Sequence, residues 1–512
     1  MALHLLLSLL YGRMEILSGL FNADALYLPA LMRDLAAQGT FRDWYLPHAA
    51  YFVPDMVLYR TLALGPWTTE QQTYLFTLSL WSFMALSFGS FTKSERERLG
   101  VGAASFAVLL LALLLTLVAW TELFMTGGLS GLSSSFFQPL LSSAHHLGSF
   151  TLTLLLFTLT LAFERNPETR RMLPLLGLMG ITAVAWMSDK LIFAQAIAPL
   201  LLYGAFMGVL KRDKSYGIML LALGLGLVFG QQLHDHLIPH RMGSVDAWPQ
   251  SWTQVLLSLR VFSSDLQSMA EGPWLLFLGY VLAAWIYSLR RLSLFVGQVL
   301  RHGRPAFALR AESLLTLAAL INIALVLLKG MYHDSGHIRY LLAFWLFPCF
   351  NLGVFLWHRL DDLYAGPWLQ KFLPLACGLF ALILAAKNIS PWHNVYSDER
   401  ISCVQGAAEQ REVEHIVTGY WSAKPLQIFG DQSWKVLTLD AQGQIYHWIS
   451  SDRWARMWTH SARDPYRASS RFFFIQDGST QIPDSSLGNE LEHFSCGSWQ
   501  VSVREFAQST LF

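Results

Sequence analysis

Carboxylate, imidazole and aromatic side chains gather in one segment, residues 21 to 69, that follows the first apolar stretch. Its first part reads FNADALYLPALMRDL and places Asp24 ahead of an apolar face formed by Leu28, Leu31, Met32 and Leu35. These residues predict an amphipathic helix lying along a membrane surface. A carboxylate there could be a general base that activates an acceptor hydroxyl. The alternative is a helix N-cap, which Pro29 weakens because it falls inside the pattern.

The same segment continues as WYLPHAAYFVPDMVLYR, residues 44 to 60. His48, Asp55 and Arg60 stand here among five aromatic residues, Trp44, Tyr45, Tyr51, Phe52 and Tyr59. Aromatic faces suit the C–H surfaces of sugars, and the carboxylate and imidazole suit hydroxyl or phosphate groups. The alternative is an interfacial aromatic belt in which Asp55 begins a helix after a proline. Asp55 is the second predicted catalytic residue.

Further ionisable and aromatic groups occur at the same predicted membrane level. The candidates for binding a substrate or donor are His48, Arg60, His145, His146, Asp189, Lys190, His333, Arg339 and Tyr340. Ionisable residues at membrane depth are costly, which favours a functional role. Two alternatives stay open: Asp189 and Lys190 could neutralise each other in a tight turn, and Arg339 could extend outward to the interface rather than bind phosphate.

The sequence favours neither a metal nor a cofactor. His333, Asp334 and His337 have no spacing typical of a zinc site, and the chain has no HExxH motif. Walker A and GxSxG motifs are also absent, so ATP-driven transport and serine hydrolysis gain no support. We predict no metal and no cofactor, although the sequence does not exclude a divalent cation.

The composition defines the class of protein that carries these residues. Of 512 residues, 54% are hydrophobic and only 14% are charged, against about 25% charged in soluble proteins. The 19 tryptophans fit interfacial aromatic belts. The net charge of +1 argues against nucleic acid as a partner. We therefore predict an α-helical polytopic membrane protein with membrane lipids as its surroundings.

Apolar windows predict about eleven transmembrane spans within residues 1–387. We expect the first to be retained as a helix rather than cleaved as a signal, because Arg13 and Glu15 interrupt it. The predicted spans are 2–20, 70–92, 101–123, 148–164, 173–188, 191–210, 216–235, 274–289, 313–330, 341–357 and 371–387.

Lysine and arginine set the predicted orientation. Five alternate loops contain 16 Lys and Arg in 57 residues, and the other five contain 7 in 123. Basic loops are retained in the cytoplasm, so the N-terminus is predicted to be cytoplasmic and the long first loop 21–69 external. A loop of 49 residues is too long for a simple connection, which places any chemistry on the outer face.

Residues 388–512 change in character and predict a small extracytoplasmic α/β domain. The runs WKVLTLD, IYHWIS and RFFFIQD are typical of strands, and DAQGQ and QDGS are typical of turns. Cys403 and Cys496 both fall in this domain, where an oxidising compartment would allow a disulfide. Cys349 and Cys377 fall within spans and are predicted to be packing residues.

Together these features resemble the GT-C superfamily of integral-membrane glycosyltransferases. More closely, NADALYLPALMRDL, WYLPHAAYFVPDMVLY, GYWSAKPL and IYHWIS are similar to a family of uncharacterised bacterial membrane proteins of this architecture. The closer likeness covers most of the chain. The resemblance implies a bacterial inner-membrane protein with a periplasmic C-terminal domain.

The superfamily resemblance also implies the reaction. It is transfer of a sugar from a polyprenyl-phosphate donor to a glycan, lipid or protein acceptor on the periplasmic face, with Asp24 as the catalytic base. The chain departs from the usual pattern, because Asn22-Ala23-Asp24-Ala25 offers one acidic residue where many members have two. That favours a metal-independent route. A lipid-linked glycan flippase and a non-catalytic envelope-assembly component are the alternatives.

Overall fold

A computed structural model describes residues 21, 23–37, 39–47, 49–93, 100–126, 130, 132, 135–137, 140, 146–165, 172–238, 240–241, 251–302, 307–360, 398–447, 450–456, 471–478, 482 and 487–505. Most of these residues are helical. The helices are α1 (Tyr27–Ala36), α2 (Val57–Leu62), α3 (Thr69–Lys93), α4 (Gly100–Thr126), α5 (Leu147–Arg165), α6 (Met172–Ser188), α7 (Ala198–Lys211), α8 (Ser215–Leu237), α9 (Trp252–Ala270), α10 (Leu275–His302), α11 (Phe307–Leu328), α12 (Leu342–Leu360), α13 (Glu399–Arg411) and α14 (Tyr420–Phe429).

Seven helical segments in the described part of the chain are long and apolar enough to cross a membrane. They are Thr69–Thr92, Leu147–Arg165, Phe193–Lys211, Ser215–Leu237, Leu275–Arg301, Leu309–Leu328 and Ser335–Leu360. Two shorter apolar stretches, Ala103–Ala119 and Met172–Ser188, coincide with two further predicted spans. The predicted spans 2–20 and 371–387 lie outside the described residues. The count of seven is lower than the predicted eleven.

Close packing between α6 and α8 depends on two glycines one helical turn apart. A Cβ added to Gly230 would lie 2.4 Å from the carbonyl oxygen of Ala183, and one added to Gly226 would lie 2.8 Å from the Cβ of Thr182. Small residues at this spacing let two helix backbones approach closely, which is how apolar helices associate without a hydrophobic driving force.

Two sets of polar contacts join segments that are distant in the chain. Side chains from positions 24, 51, 146, 189 and 339 form one set, and Glu164 near the end of α5 forms an ion pair with Arg310 near the start of α11. The side of the membrane on which each loop lies stays a prediction.

The first loop forms structure of its own. It contains α1, the short strand β1 (Trp44–Leu46) and α2. Helix α1 is buried on nearly every side, including Tyr27, Ala30 and Asp34. The polar residues of α1 contact the C-terminal region: Arg33 Nη1 donates to the carbonyl oxygen of Ile428 at 3.3 Å, and Asp34 accepts bonds from Arg453 and Trp454. The prediction of a helix whose polar face is left uncovered along the membrane is therefore wrong for α1.

The C-terminal region is a small α/β unit, as its strand-like runs predicted. The remaining strands are β2 (His240–Arg241), β3 (His415–Thr418), β4 (Lys435–Thr438), β5 (Ser450–Ser451), β6 (Arg471–Gln476), β7 (Asn489–Cys496) and β8 (Trp499–Glu505). Five of them form one sheet in the order β4-β3-β6-β8-β7. Strands β3, β4 and β6 are parallel, and β7 and β8 form an antiparallel hairpin beside β6.

A disulfide joins α13 to strand β7 of this sheet, and β5 belongs to a different sheet. Cys403 and Cys496 are bonded, with their Cα atoms 5.6 Å apart, as the sequence predicted. Strand β5 pairs instead with β1 of the first loop, which also pairs with β2. The run IYHWIS divides between two places: Ile445 forms an antiparallel bridge with Leu439 just after β4, and Ser450 belongs to β5. The domain boundary predicted at residue 388 lies outside the described part.

Candidate functional site

Asp24 lies where three distant parts of the chain meet. Its carboxylate accepts a hydrogen bond from the Tyr420 hydroxyl at 2.6 Å and another from Arg339 Nη1 at 3.1 Å. The Asp24 side chain keeps 16% of its accessible surface. Helix α1 begins at Tyr27 and has Leu26 as its N-cap, with no side-chain capping bond. The N-cap alternative for Asp24 is therefore wrong.

Each partner of Asp24 is placed by a local feature of its own segment. Arg339 belongs to a 3-10 turn, Ser335–Leu341, whose N-cap Asp334 accepts a bond from the backbone N–H of Gly336. Tyr420 is the first residue of α14 and directly follows β3 and Gly419. Strand β3 lies between the parallel strands β4 and β6, so the carboxyl end of β3 is a topological switch point, where open α/β sheets bind ligands.

Lys424 adds a second cation beside Asp24. It is buried one turn after Tyr420, and its Nζ lies 5.6 Å from the Tyr420 ring centroid and 5.9 Å from that of Trp454. Burial lowers the pKa of Lys424 to about 7, although the charge of Asp24 partly opposes the shift. Burial, and then the charge of Asp24, raises the pKa of Tyr420. The phenol therefore stays a hydrogen-bond donor.

A second buried group joins the same cluster. His146 Nδ1 lies 2.6 Å from Asp189 Oδ2, and His146 Nε2 lies 3.3 Å from the Tyr51 hydroxyl. Burial alone would raise the pKa of Asp189, but His146 and the Leu191 amide lower it below its usual value. The Tyr340 ring packs edge-on to the His146 ring, with centroids 5.2 Å apart, and Arg339 lies over Tyr340 at 5.5 Å.

Asp189 and Lys190 were also considered as a pair that neutralises its own charges in a tight turn, but the two side chains contact different groups. Asp189 bonds His146, whereas Lys190 Nζ bonds the Gln231 side chain at 2.7 Å and lies 4.2 Å from the Trp186 ring centroid. The structure thus separates the two residues into different sets of contacts.

Asp55 occupies a different position from Asp24. It is buried, and its carboxylate lies so close to the first turn of α5 that a Cβ on Gly148 would be 1.8 Å from Asp55 Oδ2. A carboxylate at a helix N-terminus is stabilised by the unpaired N–H groups and the helix dipole. We interpret Asp55 as an anion that fixes the start of α5, rather than as a catalytic residue.

The remaining predicted residues divide between the edge of the site and positions outside it. His333 is exposed and stacks on His337 at 4.0 Å, and His337 bonds Asp334 at 2.7 Å. Arg60 is exposed in the last turn of α2. His48 and His145 lie outside the described residues. Among the described residues, no three His, Cys, Asp or Glu side chains converge as metal ligands would.

Sequence reasoning missed Tyr51, Tyr420 and Lys424 as site residues. Tyr51 was included only as one of five aromatics, and the other two stand in the stretch GYWSAKPL, which was used for its resemblance alone. The signal in that stretch was a lysine in an apolar helix that begins directly after a buried strand and a glycine. The buried position of Lys424 follows from the docking of α14 on α1, which the local sequence does not encode.

The fold and site together define a mostly helical protein with membrane-spanning character and a polar cluster shared between its helical region and a small α/β unit. No family model, curated protein or solved structure matches the chain. The geometry of the cluster therefore carries the functional argument.

Proposed function

We propose that the protein is an integral-membrane glycosyltransferase of GT-C-like architecture, with about eleven spans. It would transfer a sugar from a polyprenyl-phosphate donor to a glycan, lipid or protein acceptor on the periplasmic face. The observation that carries this proposal is the partly accessible carboxylate of Asp24, fixed by Arg339 from one segment and Tyr420 from another.

Asp24 has the features required of a general base. The hydrogen bonds from Arg339 and Tyr420 fix the direction of the carboxylate, and its side chain keeps 16% of its accessible surface, which leaves it open to an acceptor. An acceptor hydroxyl could therefore give its proton to Asp24 as its oxygen attacks the anomeric carbon with inversion. General-base help of this kind contributes roughly 10²- to 10⁴-fold to a rate.

Two cations are available for the phosphate of the donor. The Nε atom of Arg339 is buried without a hydrogen-bond partner among the described residues, and a buried donor in that state calls for a ligand or water. Lys424 stands beside the same carboxylate, and a phosphate would favour its charged form. Lys424 is therefore the second phosphate-binding cation in this proposal.

The chain offers a matched control for Asp24. Asp34 is a carboxylate of comparable connectivity, with bonds from Trp44 Nε1 at 2.8 Å, Arg453 Nη1 at 2.9 Å and Trp454 Nε1 at 2.9 Å. Its side chain keeps only 1% of its accessible surface, so no substrate could reach it. Asp34 joins the first loop to the C-terminal region and is a structural residue.

The test compares Asp24→Asn with Asp34→Asn in full-length protein in lipid nanodiscs. The assay offers a panel of polyprenyl-phosphate sugars and a membrane extract as acceptor, and mass spectrometry detects glycosylated products. We expect Asp24→Asn to lose at least about 100-fold in rate while its unfolding midpoint stays close to wild type. Asp34→Asn should instead unfold more easily.

Two outcomes would contradict the proposal. If Asp24→Asn unfolds as readily as Asp34→Asn, Asp24 is a structural clamp between regions. If wild-type protein moves a lipid-linked sugar across proteoliposomes without any covalent product, the flippase alternative is correct. Mass spectrometry of envelope glycans and glycolipids from cells with and without the protein would then identify the cargo or the product.

A further inference from the structure

Two residues with unusual backbone conformation meet beside Asp24. Tyr51 has a φ of 56° and His146 a φ of 72°. The other non-glycine residues with positive φ in the described part of the chain, Arg212 and Glu412, are helix C-caps, where this conformation is common. Left-handed backbone is unfavourable for a bulky residue such as tyrosine, and such strain concentrates at functional sites.

The side chains of these two residues continue into a hydrogen-bonded chain. The Tyr51 hydroxyl contacts His146 Nε2 at 3.3 Å, and His146 Nδ1 contacts Asp189 Oδ2 at 2.6 Å. The other oxygen of Asp189 accepts the backbone N–H of Leu191 at 2.9 Å. Asp189 therefore fixes a proton on Nδ1 and turns Nε2 toward Tyr51.

The surroundings of this chain are also irregular. A π-helical turn, Phe193–Ile197, follows Asp189, and such turns are frequent at functional sites. It places Gln195 Oε1 3.1 Å from the Ser149 hydroxyl, and Gln195 Nε2 is buried without a hydrogen-bond partner among the described residues. Among the residues that the structure describes, the charged and titratable groups around His146 are Tyr51 from the first loop, Asp189 from the turn after α6 and Tyr340 from the segment that carries Arg339.

We propose that Asp189, His146 and Tyr51 form a proton relay that delivers a proton to the leaving phosphate oxygen during sugar transfer. This inference rests on the proposed function. The bond from the anomeric carbon to the acceptor oxygen forms as the bond to the phosphate oxygen breaks. Asp24 takes the acceptor proton, Tyr51 gives its proton to the phosphate, and His146 passes a proton from Nε2 to Tyr51. Exchange of one proton with water then resets Asp24 and His146.

Tyr51 is the catalytic residue of the relay, and His146 and Asp189 position and recharge it. The hydroxyl of Tyr51 is within electrostatic range of both Arg339 and Asp24, the groups assigned to phosphate and acceptor. Burial, and then the charge of Asp189, raises the pKa of Tyr51 well above its usual value. The phenol therefore gives up its proton only as it receives another from His146.

The φ of His146 makes a sharp test possible. Glycine adopts this conformation without strain, so His146→Gly keeps the backbone and leaves a space the size of an imidazole ring. We expect the variant to lose roughly 100-fold in transfer rate in nanodiscs, and added imidazole to restore at least about a tenth of it. Across a series of methylated imidazoles, the recovered rate should follow the concentration of the protonated form.

Three further variants serve as controls. Tyr51→Phe should lose a similar factor and gain nothing from imidazole, because the proton can no longer reach the phosphate. His146→Gln fills the space and should not be rescued. Glu412→Gly relieves a comparable backbone conformation at the end of α13 and should transfer sugar at the wild-type rate.

The failures of the relay and of the proposed function are distinguishable. Transfer by wild type with no rescue of His146→Gly, or with rescue that follows neutral imidazole, would overturn the relay alone. Full activity of Tyr51→Phe would do the same. Absence of any transfer by wild-type protein would overturn the proposed function, and the relay with it.

Discussion

Lys424 gives the most direct test of the structure, because its effect does not depend on the reaction. Burial lowers its pKa from 10.5 to about 7. Above pH 10.5 the lysine is neutral in both the folded and the unfolded chain, so it does not change the free energy of unfolding. As the pH falls below 10.5, the unfolded chain binds the proton first, so the folded state loses stability until about pH 7, where the folded protein binds it too.

The magnitude follows from the same shift. Each pH unit within this window is worth up to about 1.4 kcal/mol, so between pH 10 and pH 8 Lys424 should reduce the free energy of unfolding by about 2–3 kcal/mol. Lys424→Met keeps the length of the side chain and removes its charge. The difference in stability between Lys424→Met and wild type should therefore grow by about 2–3 kcal/mol as the pH falls from 10 to 8.

The measurement is equilibrium unfolding in mixed detergent micelles, followed by tryptophan fluorescence at pH 8, 9 and 10. Lys214→Met, on an exposed side chain, corrects for the general effect of losing a lysine. A difference between Lys424→Met and wild type that stays constant over this pH range would refute the reasoning. It would mean that Lys424 remains charged and paired in the folded protein.

Three other predictions concern how the regions are held together. Asp34→Asn removes the buried carboxylate that accepts bonds from the half-buried Arg453 and from two indoles, so thermal unfolding should show a loss of about 1.5–3 kcal/mol; an unchanged midpoint would contradict the buried contact. Gly230→Ala should cost about 1–3 kcal/mol in the same assay because α6 and α8 must separate, whereas Gly217→Ala, with open space around it, should be tolerated. Replacing Cys403 and Cys496 together by serine should lower stability by about 2–4 kcal/mol, and a reducing agent should reproduce the loss in wild type only.

Much of the helical framework could be predicted from the sequence. Apolar windows such as 148–164 and 216–235 match α5 and α8 closely, because a membrane-length apolar run has few other stable conformations. The strand runs around residues 435 and 471 were also predicted, and the cysteine pair was found because its members share one polar region. Helix α9 was missed, since it lies between the predicted spans 216–235 and 274–289, where no helix was predicted.

The candidate site was predicted only in part. Asp24, His146, Asp189, Arg339 and Tyr340 were selected from the sequence by residue type and membrane level, and the structure places them in one cluster. The prediction that α1 leaves its polar face uncovered along the membrane was wrong. The amphipathic pattern of α1 shows that the helix has an apolar face but not what covers the other face. A polar helix face that packs against another region of the protein has the same sequence pattern as one that faces water or lipid headgroups.

The sequence by itself determined which segments are helical and apolar, and that the long first loop carries ionisable groups at one end of them. Only the tertiary structure decided which carboxylates remain accessible. Asp24 and Asp34 stand ten residues apart with similar neighbours, yet one keeps 16% of its side-chain surface and the other 1%. The difference arises from contacts more than 300 residues away in the chain, with Arg339 and Tyr420 at Asp24 and with Arg453 and Trp454 at Asp34. Local sequence patterns reach only a few residues, so they do not encode such contacts.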